Sequence, residues 1–281
     1  MLSIIIVNFH NPALLRLSLR TLARVLHRNL LHEVIVVDSE STPETRNVVR
    51  HDCADLFSRI LLVPFSENTG YTRGVNEGLR RAEGDVLLVL NPDIVVRPDT
   101  LDAMMQYLEE HPEVGLLGPG LLNVDESRQD SCFRFYTPLM MAARRLWFPG
   151  SRKLVDQLVM RETAISGPTD VDWVMGSALM TTRKAMDDVG MMDERFFLYL
   201  SEVDWAWRFW ENGYRVVYLP SVQMYHYLKR ESKGRFAFID IMTRPQSRWH
   251  FADAVRYFQK HGISGHRPRG TAVRQPQLLA A

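Results

Sequence analysis

The sequence predicts an α/β protein built on a mostly parallel central sheet with helices on both faces. Three observations lead there. Short, continuous apolar runs recur through the first half of the chain, the pattern of strands buried on both sides. Helical stretches separate them at intervals that suit right-handed βαβ crossovers. A polar group of residues closes each run, and in such a sheet ligands collect at the carboxyl ends of the strands.

The elements follow in order. Leu2 to Val7 is the first buried strand, and Pro12 opens a helix whose Leu15, Leu19, Leu22 and Leu26 recur at spacings of three and four. Glu33 to Val37 is a second strand. Thr42-Pro43-Glu44-Thr45 starts a helix with proline in the first position, expected to run to about Cys53. A strand at Ile60 to Val63, a helix at Tyr71 to Ala82 and a strand at Val86 to Leu90 complete the first half. Further on, Leu116 to Val124 reads as a strand. Residues 125–167, rich in arginine and broken by Pro138 and Pro149, read as loop and insertion. Val171 to Thr181 reads as a strand ahead of a helix at Lys184 to Val189, and Tyr214 to Leu219 as a strand closed by Pro220.

At 281 residues, 46% hydrophobic and 24% charged, the chain can bury a sizeable core in one large domain or one domain with a lobe. Two distant cysteines, Cys53 and Cys132, make no disulfide framework, and the first residues lack the pattern of a secretory signal. A reducing, cytoplasmic setting is expected. The longest apolar runs fall far short of the roughly 18 residues that span a bilayer. The net charge of +1 conceals an asymmetry: from Lys229 onward eleven Lys and Arg face three acids, leaving the preceding part negative. Solvated disorder is one reading of that basic end. Interleaved Phe236, Phe238, Trp249, Phe251, Tyr257 and Phe258 suit an amphipathic helix against an anionic membrane surface better. No nucleic-acid partner is expected.

The strand ends carry the chemistry. Asn8 follows the first strand, Asp38 the second, Asn68 the third, and Asn91-Pro92-Asp93 the fourth. Proline stiffens the last turn, so the Asp93 carboxylate can offer an oxygen to a hard divalent cation, although Asn-Pro-Asp is also ordinary turn chemistry. Gly70, Gly74 and Gly78 share one helix face, which lets a backbone approach closely, and Arg73 is a nearby cation for a diphosphate. His226 needs a folded-in carboxylate before it can serve as a metal ligand. In Tyr199-Leu200-Ser201-Glu202-Val203-Asp204-Trp205, Ser201 and Asp204 fit a capping box, with Glu202 one residue inside the helix.

Together the segments "SIIIVNFHN", "EVIVVDSES", "ENTGYTRGVNEGL", "LLVLNPDI", "VMGSALMTTRKAMDDVGMMDERFFLYLSEVDWAWR" and "YFQKHG" resemble the family 2 glycosyltransferases, and within them the bacterial rhamnosyltransferase-like branch. The resemblance implies a GT-A, Rossmann-like fold and an inverting transfer. It implies residues 1–235 as the transferase domain, with a nucleotide-sugar half at 1–125 and an acceptor half at 126–235, and 236–281 as a basic helical extension. It places Asn8, Asp38, Asn68, Gly70, Arg73, Asn76, Asn91 and Asp93 at the nucleotide sugar, and Gly176 and Ser177 on the acceptor side. Mg²⁺ or Mn²⁺ would be held by Asp93 and His226, Asn91 taking the place of the first carboxylate of the family's Asp-x-Asp element. Glu202 stands where the family has its catalytic base, with Asp204 beside it, and Ser201 departs from the usual acid there. The donor implied is TDP-rhamnose, the acceptor a glycan or lipid-linked glycan. Two alternatives stay open: a degenerate sugar-nucleotide-binding or scaffold protein, and a sugar nucleotidyltransferase, although "VNFHNP" lacks the latter's glycine-rich basic loop.

Overall fold

In the computed structural model, residues 1–26, 30–146, 148–227 and 245–268 are described. β1 (Leu2–Phe9) leads through α1 (Pro12–Val25), β2 (His32–Ser39), α2 (Pro43–Asn47), β3 (Ile60–Pro64) and α3 (Gly70–Arg81) to β4 (Val86–Leu90). Then come β5 (Ile94–Val96), α4 (Thr100–Glu110), β6 (Val114–Leu122), β7 (Cys132–Phe133), α5 (Pro138–Ala143) and α6 (Ser151–Leu158). The chain continues through β8 (Thr169–Asp170), β9 (Trp173–Val174), β10 (Ala178–Thr182), α7 (Arg183–Val189), α8 (Ser201–Glu211), β11 (Arg215–His226) and α9 (Pro245–His261).

The main sheet runs in the order β3-β2-β1-β4-β10-β6-β11-β5, with β8 beside β11. Strands β1 to β4 pair in parallel, as the crossover spacing predicts, and β10 enters antiparallel between β4 and β6. Alternate residues of β1 serve opposite faces. Ile4 and Ile6 pack with Leu15, Leu19 and Leu22 of α1, whereas Ile5 and Val7 pack with Val75 and Leu79 of α3. The second core also takes Val203, Trp205, Ala206 and Phe209 of α8 and Ala254 and Tyr257 of α9.

Several expectations need correction. The helix after Thr42 starts with Pro43 as predicted, the Thr42 hydroxyl accepting the Thr45 N–H at 3.2 Å, but it is α-helical only to Asn47 before a π turn at Val48–Asp52. Residues 125–167 are not plain loop: β7, α5 and α6 lie there, and Pro138 opens α5 at a position where proline's missing N–H costs nothing. Pro220 does not close a strand. β11 continues to His226, and the register shift between Leu219 and Gln223 absorbs a residue that cannot donate to the ladder. Val171 to Thr181 divides into β9 and β10 around Met175, Gly176 and Ser177. The sequence reading assigned neither β5 nor α4. Both cysteines are buried thiols. The expected boundary at 235/236 and the aromatic residues Phe236 and Phe238 lie outside the described residues.

Close packing of α3 on β1 depends on missing side chains. A Cβ on Gly78 would stand 2.2 Å from Cγ2 of Ile5, and one on Gly74 2.7 Å from Cγ1 of Val7. Both neighbours are branched and buried, so neither can yield cheaply. Gly78→Ala is expected to cost about 1–3 kcal/mol in urea denaturation, and an unchanged midpoint would show that α3 can shift along the sheet.

Candidate functional site

The parallel register sets Asn8 directly opposite Asp38 at the carboxyl ends of β1 and β2. The Asn8 Nδ2 group donates to Asp38 Oδ1 at 2.7 Å and to Thr45 Oγ1 at 3.3 Å. This orients both side chains, yet Asn8 Oδ1 and Asp38 Oδ2 are buried with no partner among the described residues. Orphaned buried acceptors are costly and call for a donor. Asn68 Oδ1 accepts the Gly70 N–H at 2.9 Å and shapes the entry to α3, where Gly70 takes a φ of 74° that suits glycine. Arg73 is exposed on the first turn, its guanidinium 5.7 Å from the Phe65 ring centre. Asn76, expected at the nucleotide, is engaged elsewhere. Its amide donates to the Met192 carbonyl at 2.8 Å and to Glu194 at 3.0 Å, and accepts the Met192 N–H at 3.0 Å. It ties α3 to the segment before α8.

At the end of β4 the Asn91 N–H donates to the Ser177 carbonyl at 2.9 Å, so Gly176 and Ser177 abut the Asn-Pro-Asp turn. Antiparallel pairing of β11 with β5 brings His226 opposite Ile94, and its Nε2 lies 3.5 Å from Asp93 Oδ2. Gln129 decides how that ring presents itself. Its Nε2 donates to the Asn123 side chain at 2.8 Å and to the His226 carbonyl at 2.9 Å, which leaves Oε1 to face His226 Nδ1 at 2.9 Å. On that network Nδ1 donates to Gln129 Oε1, and Nε2 is the ring nitrogen that faces Asp93. Asp93 Oδ1 is likewise buried and unpartnered. One imidazole nitrogen and one carboxylate fit Mg²⁺ or Mn²⁺. Among the described residues no group of three such ligands forms, so a cation there would need oxygens from its substrate or water.

Glu202 sits in the first turn of α8 on the wall of a cavity of about 500 Å³, a wall that Gln129 also joins. Gln129, which also contacts His226, is the residue that stands between this cavity and the Asp93–His226 pair. Gly176 lies against Glu202: a Cβ there would be 3.3 Å from the Glu202 Cγ. The Tyr71 hydroxyl donates to the Gly176 carbonyl at 2.6 Å. Burial, outweighing its backbone hydrogen bond, pushes the Glu202 carboxyl up to about 7, with Asp253 adding repulsion and Arg144 opposing. Tyr71, Tyr136, Arg144 and Gln129 were missed by sequence reasoning. They lie far from Glu202 or His226 along the chain, and nothing local singles them out.

The capping box is not formed. Leu200, in the left-handed region at φ 64°, precedes the helix, and the buried Ser201 hydroxyl has no partner among the described residues. Asp204 is fully buried, 3.0 Å from Arg208 Nε, 2.6 Å from Lys260 Nζ and 2.7 Å from His261 Nε2. Burial pushes its carboxyl up, but the His261 hydrogen bond and the Arg208 and Lys260 charges prevail and hold it below the usual range. A carboxylate so held is a poor proton acceptor, and it does not line the cavity.

Solved structures share this arrangement of strands and helices, the GT-A fold. GalNAc-T7 with UDP, GalNAc and Mn²⁺ superposes at a TM-score of 0.62 and 16% identity, over 82% of this chain and 44% of that one. The mannosyltransferase PcManGT of Pyrobaculum calidifontis, with GDP-Man and Mn²⁺, gives 0.59 and 19%, over 91% and 64%. The chain belongs to glycosyl transferase family 2, whose model matches residues 3–158, and it is a glycosyltransferase. It is 28% identical over 216 residues, 72% of this chain and 68% of the relative, to the N-acetylglucosaminyl-diphospho-decaprenol L-rhamnosyltransferase of Mycobacterium tuberculosis. It is 22% identical to the rhamnosyltransferase WbbL of Escherichia coli K12, over 84% and 85% of the two chains. No described helix is long and apolar enough to cross a membrane.

Two measurements separate the acids of α8. The folded state holds the Glu202 proton more tightly than the unfolded chain does, so the stability tied to it is complete below about 4.3. That contribution falls as pH rises toward about 7. Glu202→Gln is therefore expected to gain in Tm on the wild type between about pH 5 and about pH 8. Asp204→Ala is expected to lose about 3–5 kcal/mol in chemical denaturation, because it strands buried cations.

Proposed function

We propose that the protein is an inverting transferase that moves rhamnose from TDP-rhamnose to a hydroxyl of a lipid-linked glycan. The observation that carries the reading is Glu202, a carboxyl poised near neutrality on the wall of a cavity that also includes Gln129, the residue that orients His226 beside Asp93. A general base works best when its pKa lies near the working pH. Glu202 takes the acceptor's hydroxyl proton as that oxygen bonds to the sugar's anomeric carbon. The bond from that carbon to the diphosphate breaks, and the nucleoside diphosphate departs. Gly176 and Ser177, between Asn91 and Glu202, line the acceptor side.

On the donor side, Asp38 Oδ2 and Asn8 Oδ1 accept hydrogen bonds from the nucleoside, for which the N3–H of thymine or a ribose hydroxyl is a suitable donor. Asn68 and Gly70 shape the turn beneath the diphosphate, and Arg73 supplies a positive charge. Asp93 Oδ1 and His226 Nε2 are the atoms that would hold Mg²⁺ or Mn²⁺. When bound, the cation offsets the charge of the departing diphosphate. The Mn²⁺ in the two solved structures and the rhamnosyltransferase names of the two relatives support these choices.

Arg144 and Arg145 border the cavity, and among the described residues neither pairs with a carboxylate. Two such cations suit a phosphate-bearing acceptor of the kind named for the mycobacterial relative. α5 and α9 both border the cavity and expose Leu139, Phe251 and Val255, which favours contact with a membrane surface where a lipid-linked acceptor resides.

A thermal-shift series tests the donor side. TDP is expected to stabilise the protein further with Mn²⁺, and His226→Ala to abolish only the metal-dependent increment. Stabilisation by neither TDP nor UDP would overturn the reading. Glu202→Gln is expected to abolish transfer while TDP still binds. Nucleotide binding with no transfer by the wild type would favour a degenerate binding protein, the alternative that Asn91 raises. On the acceptor side, Arg145→Ala is expected to raise KM for a prenyl-diphosphate acceptor about tenfold, equivalent to about 1.4 kcal/mol, with donor KM unchanged.

A further inference from the structure

The segment that delivers Glu202 is held from α9, about fifty residues downstream. Three consecutive backbone amides converge on one buried carboxylate. The Phe197 N–H lies 3.2 Å from both oxygens of Asp253, and the Leu198 and Tyr199 N–H groups lie 3.1 and 3.0 Å from Oδ2. Successive amides turned inward form an anion-binding concavity, and here the anion is the protein's own side chain. Asp253 is fully buried, with Arg256 beside it at 2.9 Å.

The next residue is Leu200 in its left-handed conformation, whose carbonyl accepts the Asp204 N–H at 2.9 Å as α8 begins. Glu202 follows two residues later. One face of α9 reinforces the hold: Trp249 packs on Phe197, His250 on Tyr199, and Lys260 and His261 bind Asp204. The opposite side of the same peptide touches the donor half. The Phe197 carbonyl faces the Thr72 N–H at 3.5 Å, and a Cβ on Gly70 would stand 2.4 Å from that oxygen.

We propose that Asp253 is a positioning residue for the transfer reaction: by gathering the amides of Phe197, Leu198 and Tyr199 it sets the turn at Leu200 and the place of Glu202 against the donor end of α3. α9 is then part of the catalytic apparatus. The inference rests on Glu202 being the base. Asp253 also bears on that group's proton affinity. The ionisable groups around Glu202 are Tyr71 of α3, Tyr136 and Arg144 beside α5, and Asp253 and His250 of α9, with Arg145, Tyr199, Asp130 and Arg161 on the same cavity wall. Burial, aided by Arg145 and Arg144, pushes His250 down to about 3, which leaves it neutral across the working range.

The test uses the full-length enzyme carrying Asp253→Asn or Asp253→Ala, with transfer followed across pH and exchange of the 197–199 amides followed by mass spectrometry. A displacement of about 1 Å at a reacting group can cost about 10²-fold. The Ala variant is expected to lose on that order in kcat with donor KM within about twofold, and to exchange the three amides faster. Asp253→Asn, keeping one acceptor oxygen but no charge, is expected to retain more activity and to move the acidic limb of the rate profile to lower pH. A purely structural role would lower Tm yet leave the limb and the rate per folded molecule unchanged, and that result overturns the proposal. If the Ala variant does not fold, kcat and the exchange of the 197–199 amides in Asp253→Asn decide, and wild-type values for both overturn the proposal. Should Glu202→Gln retain transfer, the base assignment fails. Should Glu202→Gln be inactive while both Asp253 variants match the wild type, only the present inference fails.

Discussion

The structure depends on the in-register parallel pairing of β1 with β2 and β4 inside a sheet covered on both faces. Register brings Asn8 and Asp38 side by side and fixes the turn at Asn91 on the same edge. Slipping one strand by a single residue would move every apolar side chain of that strand to the wrong core. Apolar burial on two faces therefore holds this polar edge in place. The glycine face of α3 adds to this, because the helix can lie close enough to β1 only where Cβ atoms are missing.

Glu202 lines a cavity to whose wall Gln129 contributes while orienting His226. The two acids of α8 show how position on a helix decides chemistry. Glu202 and Asp204 are two residues apart, so they point about 200° away from each other around the axis. One is half-buried on a cavity wall and burial pushes it up to about 7, whereas the other meets Arg208, Lys260 and His261 and is held low. Environments that drive neighbouring carboxyls in opposite directions separate a proton-transfer role from a supporting one.

The first half of the fold was legible because its signals are local. Continuous apolar runs, proline at helix starts and a glycine-bearing helix each reflect forces acting within a few residues, and the observed elements follow them closely. Legibility fell where a tertiary partner outweighed the local signal. Pro220 reads as a stop, yet strand pairing on either side carries β11 through a register shift. Ser201 and Asp204 read as a capping box, yet Lys260 and His261 of α9 capture the acid and the helix opens from Leu200 instead. Short helices of six and eight residues escaped notice because they show too few turns to display a period.

By itself the sequence determined the α/β class, the family, and the set of polar strand ends that share one edge of the sheet, since apolar periodicity and turn chemistry act along the chain. The tertiary structure alone decided which of those residues face open space. It committed Asn76 to the Met192 backbone and Asp204 to α9, set His226 against Asp93 under the direction of Gln129, and enclosed Glu202. The physical reason is that desolvation and charge pairing depend on distances between groups far apart in sequence, and only the folded chain sets those distances.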